Sequence, residues 1–151
     1  MSELKKINVR VYFLLFNEDK KKILVSDEII RGNEFTKFPG GGLELGEGLV
    51  ECAMREAMEE LGQPIKILEH FYTTDFFMQS AFNPSDQIIS VYYLAELRSD
   101  IQFRIAETKH DFTHHHEDLE SFRWLDLKSI STDDFDFPSD KKVAELLCQH
   151  Y

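Results

Sequence analysis

The stretch Gly40–Gly62, GGGLELGEGLVECAMREAMEELG, constrains this chain more than any other part of it. An α-helix turns about 100° per residue, so Glu56, Glu59 and Glu60, spaced i, i+3 and i+4, share an arc of roughly 100°. Leu49, Val50, Ala53, Met54, Ala57, Met58 and Leu61 take the other side over an arc of roughly 180°, the pattern of a helix packed on a core. The segment therefore predicts one amphipathic helix starting near Glu47–Leu49, with an acidic ridge turned away from its buried side. Gly62, closely followed by Pro64, reads as its C-terminal stop.

Like charges at i,i+4 spacing repel by about 0.2–0.5 kcal/mol per pair, so something should offset the ridge. Hard divalent cations do so, because Mg²⁺ and Mn²⁺ prefer oxygen ligands and Mg²⁺ commonly takes one or two carboxylates plus substrate phosphates. A lone Glu-x-x-Glu-Glu is more often a solvated acidic face, and it is the surroundings that favour a metal here. Immediately upstream, Phe38-Pro39-Gly40-Gly41-Gly42 is too glycine-rich to continue a strand. Glycine lets backbone N–H groups approach a ligand closely, so Gly40, Gly41 and Gly42 are expected as a phosphate-cradling loop, although a triple glycine alone would be a plain turn.

Gly41-x5-Glu47-x7-Arg55-Glu56-x-x-Glu59-Glu60-x-Gly62 resembles the Nudix box, and the chain is similar to the Nudix (MutT-like) hydrolases. Every polar and glycine position of that box is present. Two aliphatic positions depart, with Ala57 in place of a larger aliphatic and Gln63 where an aliphatic closes the motif, which puts the packing of the helix end in question rather than the chemistry. The resemblance implies that Glu56, Glu59 and Glu60 bind Mg²⁺ or Mn²⁺, that Arg55 holds the loop–helix geometry, and that Glu47 organises the motif and reaches toward metal. It implies hydrolysis of a diphosphate bond in a nucleoside diphosphate linked to another group. Metals that neutralise the pyrophosphate and activate a water for in-line attack, with a carboxylate as general base, suit those residues. The implied fold is an α/β/α sandwich with a central mixed β-sheet, formed as one domain over residues 1–151.

The general base is open between Glu56 and a carboxylate in Thr113–Glu120. Glu117 is expected there as an added ligand or base, with Glu120 next. Of His114, His115 and His116, only the first and third would face the same side of an extended chain. Such loops are usually solvated, and imidazole suits Zn²⁺ or Ni²⁺ better than Mg²⁺.

A net charge of −11 argues against a nucleic-acid surface or an anionic membrane patch, and would repel a phosphorylated substrate unless a cation intervened. At 151 residues and 42% hydrophobic, the chain can bury one core without staples. Val11–Phe16 is too short to span a bilayer and no secretory pattern precedes it, so a cytoplasmic location is expected. Cys52 and Cys148 are too few for a disulfide framework, and Cys52 is expected as a bystander on the metal helix. A homodimer is left open.

Strands are expected over Lys6–Phe16, Lys22–Ser26, Ile65–Phe71, Asp86–Leu97 and Ser121–Leu125, with a turn at Asn17–Lys20 and a closing helix over Lys141–His150. Phe71, Tyr72, Phe76, Phe77 and Phe82 could stack on a nucleobase or simply pack, and Arg31 and Lys37 could meet phosphates or be surface charges. Two other classes compete. A nucleotide-binding sensor would have a degraded box, which this chain lacks. An isoprenoid diphosphate isomerase would need an activated cysteine, a role to which neither Cys52 nor Cys148 can be connected.

Overall fold

A computed structural model describes residues 3–112 and 119–151. Its strands are β1 (Lys6–Phe16), β2 (Lys22–Ile30), β3 (Asn33–Lys37), β4 (Gly40–Gly42), β5 (Ile65–Thr73), β6 (Asp86–Leu97) and β7 (Glu120–Asp126). The helices are α1 (Leu49–Leu61) and α2 (Pro138–His150), with a 3₁₀ turn at Thr132–Asp134 before α2. β1 runs parallel to β6 from Lys6↔Asp86 to Phe16↔Glu96, while the other pairings are antiparallel, so the sheet is mixed.

The alternation of β1 sorts its side chains between two layers. Tyr12, Leu14 and Phe16 join Ile23, Val25 and Tyr92 under Val143, Ala144 and Leu147 of α2. Phe13 and Leu15 join Leu24, Ile65 and Ala95 under Ala57 and Leu61 of α1, and Val11 meets Cys52 and Ala53 of the same helix. Each Leu or Phe fully buried in this way contributes about 1.5–3 kcal/mol. Both faces of β1 are covered, which is the α/β/α sandwich expected.

β1 and β2 are paired only at Phe16↔Ile23. Beyond that point they diverge, and β3 and β4 fill the space between them. β3 pairs with β2 from Ser26↔Lys37 onward, whereas β4 pairs with β1 at Tyr12↔Gly40, Val11↔Gly41 and Arg10↔Gly42. The chain thus crosses from the edge of β2 to the edge of β1 at Phe38–Pro39. Gly40–Gly42 is therefore a short strand and not the loop expected from its composition. Composition misleads here because the glycines answer to close packing. A Cβ on Gly40 would sit on the backbone of Val11 and Tyr12, and one on Gly41 would occupy the place of the Glu56 carboxylate.

α1 begins at Gly48, whose N–H donates to Glu51 Oε1 at 2.9 Å, and ends at Gly62, left-handed at φ 72°, whose N–H donates to Met58 O. Its buried face is narrower than the apolar pattern suggests: Cys52, Ala53, Ala57 and Leu61 are buried, but Val50 and Met58 are exposed. Small residues bring the helix close to β1 and β4, and Ala57 is one of them. Gln63 is buried, donates through Nε2 to Ser99 Oγ and Asp100 O, and accepts from Gln102 N at 2.8 Å. A polar staple thus closes the motif where an aliphatic contact would otherwise stand.

Candidate active site

Arg55 is the hub of the box. Its Nε and Nη2 donate to the two oxygens of Glu47 at 2.9 and 2.7 Å, Nη2 also reaches Gly42 O at 2.9 Å, and Nη1 donates to Glu56 at 3.0 Å and to Glu59 at 3.1 Å. Glu47 further accepts from Glu44 N at 2.9 Å. Its hydrogen bonds with Arg55, then that with Glu44, pull the Glu47 carboxyl down to about 2. Both Glu47 oxygens are committed in this way, so Glu47 and Arg55 act here as organisers that tie β4 and the following loop to α1. A lysine cannot reproduce the planar fork. Arg55→Lys is expected to cost about 1–3 kcal/mol, a fall in Tm of roughly 3–10 °C by thermal denaturation without metal. An unchanged Tm would show the fork to be dispensable.

The acidic ridge does not act as one unit. Glu59 is the exposed member, its side chain 57% accessible and held by Arg55. Glu56 is packed beneath Gly41. Glu60 is turned inward, and its Oε2 is buried with no hydrogen-bond partner among the described residues. Burial, then the neighbouring Glu120, raise the Glu60 carboxyl well above the usual carboxylate range, with Glu28 and Glu56 adding to the effect and Lys37 opposing it. Glu120 is pushed up to about 7 by burial and by Glu28. Lys37 answers this charge: burial opposes its ammonium, yet Glu28 at 3.2 Å and the Tyr12 ring at 5.5 Å raise it above its ordinary value. The inner site is therefore Glu28, Lys37, Glu56, Glu60 and Glu120, drawn from β2, β3, α1 and β7.

A buried network sets these strands. Asp27, wholly buried, accepts from Arg123 Nε at 2.6 Å, Thr36 Oγ1 at 2.7 Å and His110 N at 3.1 Å. Asp27 and Thr36 each precede a site residue, Glu28 and Lys37, so this clamp fixes where those two point.

A hard cation fits the chemistry of these donors, since all are carboxylate oxygens and Glu60 Oε2 lacks a partner. Among the described residues no three such side chains converge into a ready-made cage. Arg55 holds Glu56 and Glu59, and Lys37 supplies the counter-charge near Glu60. Glu117 and the three histidines at 114–116 lie outside the described residues. Cys52 is buried and its thiol is pushed up to about 12, chiefly by burial and then by Glu47, which removes it as a nucleophile.

Glu60 and Glu120 hold protons in the folded state that the unfolded chain releases above its ordinary carboxylate range. Folding therefore takes up protons, and the stability of the metal-free protein should fall as pH rises from about 4.5 through about 7. Glu47, shifted the other way, loses its contribution only as pH drops toward about 2. Thermal denaturation in chelator should show a lower Tm at about pH 7.5 than at about pH 5.5. A Tm that rises across that interval would contradict the raised carboxyls.

Of the expected aromatic group, Phe82 lines a cavity on the α2 side of the sheet. Phe71 and Tyr72 pack against the α2 layer, and Phe76 and Phe77 are exposed. Arg31 donates to Phe82 O at 2.8 Å and so supports the cavity wall rather than a phosphate. Asn8, Arg10, Glu28, Phe137 and Ser90 also line this cavity and escaped the sequence reading. A signal was present: Asn8, Arg10 and Tyr12 alternate with apolar residues in a strand buried at the sheet centre, and a polar face there needs something to meet.

The fold is an α/β sandwich carrying an intact box, and the sequence matches the NUDIX domain family over residues 6–147. The chain belongs to that family. It is 29% identical over 139 residues to human nucleoside diphosphate-linked moiety X motif 6, a match that covers 91% of this chain and 40% of the human protein, so the chain spans well under half the length of that relative. The MutT protein of Methanosarcina mazei superposes with a TM-score of 0.70 at 18% identity, covering 99% of this chain and 98% of its own. The dihydroneopterin triphosphate pyrophosphohydrolase of E. coli superposes at 0.68 with 17% identity, covering 97% and 100%.

Proposed function

We propose that this protein is a divalent-metal-dependent pyrophosphohydrolase acting on a small nucleotide-type substrate, a nucleoside diphosphate carrying another phosphate or organic group. The observation that carries the reading is the buried Glu60 carboxyl, whose Oε2 has no hydrogen-bond partner among the described residues, set among Glu28, Glu56 and Glu120 in a chain whose Nudix box is intact. Glu56, Glu59 and Glu60 would hold Mg²⁺ or Mn²⁺, which when bound would supply charge neutralisation of the diphosphate and acidification of a water.

The chain's own residues do the rest. Arg55 keeps Glu56 and Glu59 in register with β4, and Glu47 keeps Arg55 in place. Lys37, buried and charged, offsets the carboxylates and presents a cation to the substrate's phosphate end. Glu120, pushed up to about 7, is suited to take a proton from water near neutral pH; Glu56 and Glu117 are the other candidates for that step. The E. coli neighbour, a dihydroneopterin triphosphate pyrophosphohydrolase, and another superposed structure, a UDP-X diphosphatase, belong to this class. No helix among the described residues is long and apolar enough to cross a membrane, and a cytoplasmic location fits the reading.

The test is a phosphate-release screen over nucleoside triphosphates, nucleotide sugars, ADP-ribose, dinucleoside polyphosphates and coenzyme A, with Mg²⁺ or Mn²⁺ and with Glu60→Gln as control. Metal-dependent cleavage absent in the variant is the expected result. Binding without cleavage across the panel would favour the sensor class instead.

A further inference from the structure

Glu28 and Glu120 stand directly opposite each other where β2 pairs antiparallel with β7. Like charges in that register oppose pairing, so something must hold the two carboxyls together. Lys37 does part of this, with Nζ 3.2 Å from Glu28 Oε2, but among the described residues no ion pair joins it to Glu120. The contact that reaches both carboxyls comes from Ser26.

Leu24, Ser26 and Glu28 follow one another on one face of β2, because strand side chains alternate. Leu24 packs in the layer beneath Ala57 and Leu61 of α1, and an apolar residue at position 26 would extend that layer. Ser26 instead places a hydroxyl at a wholly buried position, which costs stability unless it finds partners. Its Oγ lies 2.8 Å from Glu28 Oε2 and 3.2 Å from Glu120 Oε2. A hydroxyl has one hydrogen to give and lone pairs to receive, so Ser26 either shares that hydrogen between the two carboxyls or donates to one and accepts from the other. Glu28 Oε2 is thus met by both the Ser26 hydroxyl and the Lys37 ammonium, and Glu120 Oε2 is tied to the same hydroxyl. Ser26 is itself held on both strand edges, in register with Lys37 of β3 on one side and Phe122 of β7 on the other.

We propose that Ser26 is a positioning residue of the carboxylate site, its hydroxyl fixing the Glu28 and Glu120 carboxyls in the one arrangement from which Glu120 meets the attacking water. The proposal rests on the phosphohydrolase reading and deepens it. Being wholly buried, Ser26 offers no surface to a metal or a substrate and acts only through the two glutamates. Without its hydroxyl Glu28 keeps only Lys37, and Glu120 is free to turn away from its neighbour. A reacting group misplaced by about 1 Å costs up to about 100-fold in rate.

The experiment compares the wild type with Ser26→Ala and with Ser26→Thr, which keeps the hydroxyl. One readout is carbon-13 NMR of labelled glutamate side-chain carboxyls in chelator at one fixed pH, with Glu28→Gln and Glu120→Gln identifying the two signals. Ser26→Ala should move those two and leave exposed carboxyls such as Glu18 and Glu145 in place, and Ser26→Thr should bring them back toward the wild-type positions. The other readout is steady-state turnover of a substrate that the wild type cleaves. There kcat should fall about tenfold in Ser26→Ala with KM within about twofold, and recover in Ser26→Thr. Wild-type kcat in Ser26→Ala would overturn the proposal. A loss of kcat with the two carboxyl signals unmoved would assign Ser26 to the fold and overturn it as well. The two readings fail separately: if the wild type cleaves nothing the hydrolase falls, and the carboxyl signals alone then decide whether Ser26 holds the pair.

Discussion

Glu60→Gln should lower turnover by about 10²–10³-fold or more and yet make the metal-free protein more stable as pH rises. The two effects share one cause. Glu60 Oε2 is buried without a hydrogen-bond partner among the described residues, and that burial, then Glu120, Glu28 and Glu56, opposes its ionisation. In the folded wild type the carboxyl keeps a proton that the unfolded chain gives up, so each step in pH above about 4.5 costs stability that a glutamine does not incur. At about pH 5 the two proteins should melt alike. At about pH 8 the variant should be ahead by roughly 1–2 kcal/mol, some 2–6 °C in Tm. Saturating Mg²⁺ should reverse the order, because the variant would lack one of the three carboxylates proposed to hold it. Full activity in the variant, or a variant less stable at high pH, would remove Glu60 from the role given to it.

Gly40→Ala should be the most damaging single-methyl change in the chain, by about 3–5 kcal/mol. At φ 150° the backbone is already in a region that favours glycine, and the added Cβ would lie 2.6 Å from Tyr12 Cα. Backbone cannot step aside as a side chain can. Gly42→Ala is the control, since its nearest neighbour would be Arg10 Nη1 at an ordinary 3.6 Å. Thermal denaturation should show a loss of roughly 6–20 °C for the first and little for the second. Had these glycines served mainly to cradle phosphate, Gly40→Ala would fold normally and bind substrate poorly, and that pair of results would reverse the assignment made here.

Much of the architecture could be read before any coordinates. β1 and β6 run over the residues that their alternation marks, and β5, β7 and α2 differ from expectation only at their ends. β3 and β4 could not be read, because the first is five residues long and the second is all glycine, and each owes its form to a partner strand distant in the chain. The same distinction divides the site. Glu47, Arg55, Glu56, Glu59 and Glu60 lie in one stretch whose spacing is its own evidence. Glu28, Lys37 and Glu120 join them only because β2 pairs with both β3 and β7. Of these, the sequence offers Glu120 as a possible ligand or base and Lys37 as a possible phosphate contact or surface charge, but no spacing rule brings them to Glu60. Nor does spacing tell an inward Glu60 from an outward Glu59, since both sit on the same ridge and only the surrounding strands choose between them.

The crossing at Phe38–Pro39 also bears on how chain length can vary in proteins of this shape. Lys37 is registered on β2 and Gly40 on β1, with Phe38 buried between them against Phe135 at 4.5 Å. A residue inserted or removed there would slip one of the two registers, turning Lys37 away from Glu28 or drawing Gly41 off Glu56. The turn at Asn17–Lys20 carries no such double registration, whereas the segment from Asp75 to Ser85 is itself bridged to β6 at Gln79↔Gln87. The turn is therefore free to lengthen, while the connection that runs through the site must keep its residue count.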